Sequence, residues 1–142
     1  MRYAIYIFIG IALLVASVAD IKHKSISICQ IAIMGIFCVA GNIICRENNI
    51  YQALGGLSIG IMVMGISRLG SGQIGMGDGI IIALTGLFLG MNGCFIMVCV
   101  ASFVMVFVAV AVLVLKKGNK HTKLPFIPAL FVGYIVCTVT KF

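Results

Sequence analysis

Apolar residues run almost without interruption along this chain, and charged, Gly, Asn and Pro residues gather in short breaks around residues 20–25, 46–50, 70–76, 91–93 and 116–124. A helix that crosses the hydrocarbon layer needs about 20 apolar residues at about 1.5 Å each. Cut at the breaks, the chain predicts six transmembrane helices, over 3–19, 26–45, 51–69, 77–90, 94–115 and 125–140. No charged residue occurs between Gly79 and Leu115, a stretch too long for one helix. Gly90-Met91-Asn92-Gly93 is therefore the expected turn, and the fourth helix must begin close to Asp78 to be long enough.

Composition agrees with that pattern: 63% of the 142 residues are hydrophobic and 9% are charged, which no soluble core of this size absorbs. The chain reads as an all-α polytopic membrane protein with a single transmembrane domain over residues 1–142, and no repeat or polar linker divides it. A formal net charge of +7 raises the possibility of nucleic acid. The basic residues are scattered among the breaks, however, and form no aromatic-studded surface, so lipid head groups and membrane topology account for them. Cys29, Cys38, Cys45, Cys94, Cys99 and Cys137 lie in or beside apolar segments without metal-ligand spacing, and are expected to be packing residues. No metal and no cofactor is expected.

Lys and Arg favour the cytoplasmic side of a membrane. With six spans, one side collects Lys22, Lys24, Arg68, Lys116, Lys117, Lys120 and Lys123, and the other only Arg2, Arg46 and Lys141, with Glu47 beside Arg46. Both termini should then lie outside, and the breaks at residues 20–25 and 70–76 should face the cytoplasm. Arg2, an apolar run and Ser17-Val18-Ala19 also resemble a cleaved signal peptide. The greater positive charge after the run, at Lys22 and Lys24, favours a retained span instead.

Asp20, Glu47 and Asp78 are the only acidic residues, and both aspartates stand where apolar runs break. Residues 21–77 between them suffice for two crossings, so the chain leaves one face and returns to it. Two carboxyls brought together at a poorly solvated membrane edge cannot both ionise cheaply, and they share a proton. That is the condition for aspartyl hydrolysis. One carboxylate takes a proton from the attacking water, while the protonated partner hydrogen-bonds the peptide carbonyl. Gly75 and Gly77, just before Asp78, leave room for a substrate strand to pass close to the carboxyl. Gly56-x-x-x-Gly60 and Gly86-x-x-x-Gly90 read as close helix packing alone.

Three segments resemble the type IV prepilin peptidases, which belong with the preflagellin peptidases to the GxGD membrane aspartyl proteases. Asp20-Ile21-Lys22-His23-Lys24-Ser25-Ile26 is similar to the family's first aspartate motif, and Gly75-Met76-Gly77-Asp78-Gly79 to its second. Leu124-Pro125-Phe126-Ile127-Pro128 resembles the segment that opens its last helix. The resemblance implies an aspartic endopeptidase of the cell inner membrane, with Asp20 and Asp78 as the catalytic pair. It implies that substrates are prepilin-like precursors (type IV pilins, pseudopilins or competence pilins), cut at the cytoplasmic face behind a short basic leader. The larger relatives carry an added N-terminal methyltransferase region, and cleavage without methylation is expected here.

Two departures from the family pattern stand out. Ser27-Ile28 follows Ile26 where Pro-Asn is common, and Ile80 stands where a Lys is common. Lys22 and Lys24 can contact substrate, although basic residues at a membrane edge more often set topology alone. Pro125 and Pro128 fit a helix start, and can shape a cleft beside the aspartates. A proton-coupled transporter or channel subunit would also place acids among its helices, but as a relay at mid-membrane depth.

Overall fold

Each long apolar run satisfies its backbone polar groups internally by winding into a helix, the only open-chain solution that suits hydrocarbon. The computed structural model describes residues 2–23, 28–45, 49–69, 76–114 and 126–141. They form α1 (Arg2–His23), α2 (Ile28–Cys45), α3 (Ile50–Leu69), α4 (Met76–Val114) and α5 (Ile127–Lys141), with no strand among the described residues. The outer loop with Arg46 and Glu47, and the basic loop from Lys116 to Lys123 with His121, lie outside them.

The six expected spans appear as five helical elements. The fourth and fifth expected spans are one element, α4, interrupted only at Gly90, whose φ of 76° and ψ of 177° lie outside the helical region. Three helices, α1, α3 and α4, are long and apolar enough to cross a membrane, whereas α2 and α5 are shorter apolar helices. The expected turn at residues 90–93 nevertheless has a real counterpart. On an unbroken helix, residues twelve apart are separated by about 18 Å, yet Cys94 Sγ lies 3.9 Å from the carbonyl oxygen of Ile82. The chain therefore doubles back at Gly90, and residues 76–89 and 91–114 are two arms of a helical hairpin. Glycine is needed there because a Cβ disfavours positive φ. A break in a helix leaves its last carbonyls without partners, and Asn42 of α2 donates to one of them, Leu87 O, at 2.7 Å.

The hairpin is the hub of the bundle, packing on α2, α3 and α5, while α1 packs on α2 and α5. Against α3 the approach is backbone on backbone: a Cβ on Gly56 would meet the Gly86 carbonyl, and one on Gly60 would meet the Ala83 backbone. Of the four glycines expected to mark close packing alone, Gly56, Gly60 and Gly86 do so, whereas Gly90 makes the turn, and the pairings make α3 antiparallel to the first arm. The second arm runs antiparallel to α5, with Gly133 against Met97 O and Cys137 Sγ 3.4 Å from Gly93 O. Tyr134 of α5 donates its hydroxyl to Tyr6 O of α1 at 2.9 Å, and Tyr6 meets Phe88 edge-on with ring centroids 4.8 Å apart.

Ile9, Leu13, Met34, Ile82, Met97 and Leu130 form the centre of the core. Cys38, Cys94 and Cys137 are buried there, while Cys29 and Cys99 are exposed. Met62, Phe103 and Phe107 point outward with many other large apolar side chains. Such a surface suits a lipid environment and not water.

Candidate active site

Along α1 the buried side chains include Tyr6, Ile9, Leu13, Ala16 and Asp20, a stripe at alternating three- and four-residue steps, with Ser17 buried beside it. Asp20 is its last member, so the helix that buries the core also points this carboxyl inward, leaving it 9% exposed. The first arm of α4 repeats the device from the other end. Asp78, in its first turn and 7% exposed, heads a stripe that continues through Ile81, Ile82, Thr85 and Leu89.

Both aspartates lie at one end of the bundle. Tyr6 and Phe88 mark a common level, and from there α1 descends about 21 Å to Asp20 while the antiparallel arm of α4 descends about 15 Å to Asp78. The difference is close to one helical turn.

Asp20 is held by the start of α5. Phe126 O accepts from Ala129 N–H at 3.1 Å and from Leu130 N–H at 3.2 Å, which makes Phe126 the N-cap. Pro128, at the second helical position, has no N–H to satisfy. The Ile127 amide remains, and it donates to Asp20 Oδ2 over a long 3.5 Å. The Phe126 backbone bears on the same carboxylate. A helix N-terminus carries partial positive charge and unpaired N–H groups, so it compensates part of the desolvation of a buried acid. Asp78 likewise occupies a helix first turn, where the macrodipole favours an acid.

Of the other residues singled out from the sequence, Pro128 belongs to the helix that holds Asp20, and Gly77 is half-buried beside Asp78. Lys22 is exposed at the end of α1. Lys24, Gly75 and Pro125 lie outside the described residues. Among the described residues no group of three or more His, Cys, Asp or Glu side chains could hold a metal ion.

Sequence reading missed the backbone amide of Ile127, since a main-chain donor leaves no mark in composition. It also missed Gln30, near the start of α2 at this same end. The available signal was a lone long polar side chain near the start of an apolar run.

Comparison with known proteins adds one finding. The model of a family described as the type IV leader peptidase family matches residues 7–110, a stretch that includes both aspartates. No curated protein and no solved structure gives a significant match.

Proposed function

Because the chain belongs to the type IV leader peptidase family, we propose that it is an aspartic endopeptidase in which Asp20 and Asp78 form the water-activating pair. The family implies a protease, and prepilin-like proteins as its substrates in general. The observation that supports the finer reading is that two buried acids, one from α1 and one from α4, lie at the same end of a largely apolar bundle.

In the proposed reaction, water attacks the scissile carbonyl carbon and gives its proton to one carboxylate. The partner carboxyl hydrogen-bonds the carbonyl oxygen and protonates it as the tetrahedral diol forms. Collapse of the diol breaks the C–N bond. One diol hydroxyl returns its proton to the partner carboxylate, the leaving nitrogen takes a proton from the carboxyl that received one from water, and acid and amine products depart.

The hairpin at Gly90 supports six crossings of the cell inner membrane, since its two arms run in opposite directions. With that topology the Lys and Arg bias puts both termini outside and the aspartates at the cytoplasmic face. A prepilin-like precursor would then present the bond behind its basic leader at this end, with its hydrophobic helix lying in the bilayer. Lys22, exposed beside Asp20, and Lys24, Gly75, Gly77, Pro125 and Pro128 are proposed as substrate-contacting or cleft-shaping residues. The transporter reading has less support, because the acids are gathered at one end and not spread through the bundle.

The test is leader removal from a prepilin-like precursor in proteoliposomes. Asp20→Asn and Asp78→Asn are each expected to abolish cleavage, and substantial activity in either would overturn the pair.

A further inference from the structure

Gln30 stands out among the polar side chains of the bundle. Its Oε1 is buried, and no donor lies within hydrogen-bond reach of it among the described residues. An amide oxygen taken out of water with nothing to accept costs stability, so such an atom calls for a partner that the resting protein lacks.

Its position says which partner fits. Gln30, Met34, Cys38 and Gly41 share one face of α2, and Met34, Cys38 and Gly41 are buried against the rest of the bundle. Gly35 lies against the Leu84 side chain, and Asn42 reaches Leu87 O, so α2 runs parallel to the first arm of α4. From the Gly35–Leu84 level, Gln30 lies about 7.5 Å down α2 and Asp78 about 9 Å down α4. The orphaned oxygen is thus on the core side of α2, level with Asp78.

We infer that Gln30 is a substrate-binding residue, whose Oε1 accepts a backbone N–H of the extended peptide lying across the aspartates. The inference rests on the protease reading above. An extended peptide presents main-chain N–H groups on both edges, and its entry into an apolar bundle strips them of water. A neutral amide acceptor meets one of them without adding a third negative charge beside two carboxyls. It also reads no side chain, so it would serve precursors of differing sequence.

The experiment compares Gln30→Met, similar in length but without the amide, with the unmodified enzyme on a prepilin-like precursor in proteoliposomes. The expected result is a KM raised about tenfold, with the pH profile of cleavage and the thermal midpoint in detergent unchanged or the midpoint higher, since an unsatisfied group has been removed. Cleavage within about twofold of the unmodified enzyme would overturn the assignment. A lowered midpoint or failure to fold would also overturn it, because Ser27-Ile28-Cys29-Gln30 has capping-box spacing and a capping side chain acts through stability. So would a displaced pH profile, which would make the aspartate proton the partner of Gln30. Asp20→Asn and Asp78→Asn, run in parallel, separate the two readings. If both are inactive while Gln30→Met cleaves normally, only the Gln30 assignment fails, and if either is active the aspartate pair fails whatever Gln30 does.

Discussion

The Asp20 carboxylate accepts the backbone N–H of Ile127 at 3.5 Å, across a bundle in which α1 and α5 are the first and last helices. The contact ties a candidate catalytic acid to the start of a helix 107 residues away in the chain. One side chain is thus asked both to cap α5 and, on the proposed function, to activate water.

The two duties separate by mutation. In Asp20→Asn the side-chain oxygen still accepts the Ile127 N–H, so cleavage should vanish while the thermal midpoint in detergent stays close to that of the parent. Asp20→Ala removes the acceptor as well, and should fall below Asn by about 1 kcal/mol, the usual worth of an N-cap. Equal stability of the two variants would show that the contact contributes nothing to the fold.

Gly60 and Gly65 lie on the same helix and make opposite demands. A Cβ at Gly60 would meet the Ala83 backbone, whereas at Gly65 it would meet nothing within 4 Å. Gly60→Leu should therefore cost about 1–3 kcal/mol or prevent accumulation of folded protein. Gly65→Ala should be neutral, or stabilising by up to about 1 kcal/mol, as alanine is the better helix former. Thermal unfolding of the pair in detergent checks the contrast.

Gly90 alone is found at positive φ among the described residues, at the point where α4 reverses. Gly90→Ala should destabilise by about 1–3 kcal/mol through backbone strain. Gly55→Ala, next to the flexible side chain of Met91, should cost less. Unfolding midpoints measured side by side would rank them.

Asn42 supports that same reversal from α2. Replacing it with Leu leaves the Leu87 carbonyl without its 2.7 Å donor and should cost about 1–2 kcal/mol. Cleavage should survive, since Asn42 lies at the end of the bundle remote from Asp20 and Asp78. A variant as stable as the parent would mean that the carbonyl finds another donor.

Much of this could be read along the chain because hydrocarbon permits so few backbone solutions. Apolar runs became helices within a few residues of their expected ends, and the turn at Gly90 was visible as an interruption in a run too long for one crossing. The face of α1 that carries Tyr6, Ile9, Leu13, Ala16 and Asp20 was not legible, because nearly every position of that run is apolar and only burial distinguishes them. The turn between the two arms of α4 was drawn too long, at four residues where the structure uses one. A single positive-φ glycine turns the chain with no intervening loop, and residue composition does not distinguish a break of one residue from a break of four.

By itself the sequence determined the helical class, the membrane character and the identity of the two isolated acids, because each follows from local composition and from the cost of unpaired backbone in lipid. Only the tertiary structure decided that Asp20 would meet the first amide of α5, that Gly56 would face Gly86, and that Gln30 would stand level with Asp78 with its oxygen unpartnered. Those relations depend on how helices far apart in the chain pack and in what register. That is settled by the summed fit of many small side chains, which no single segment encodes.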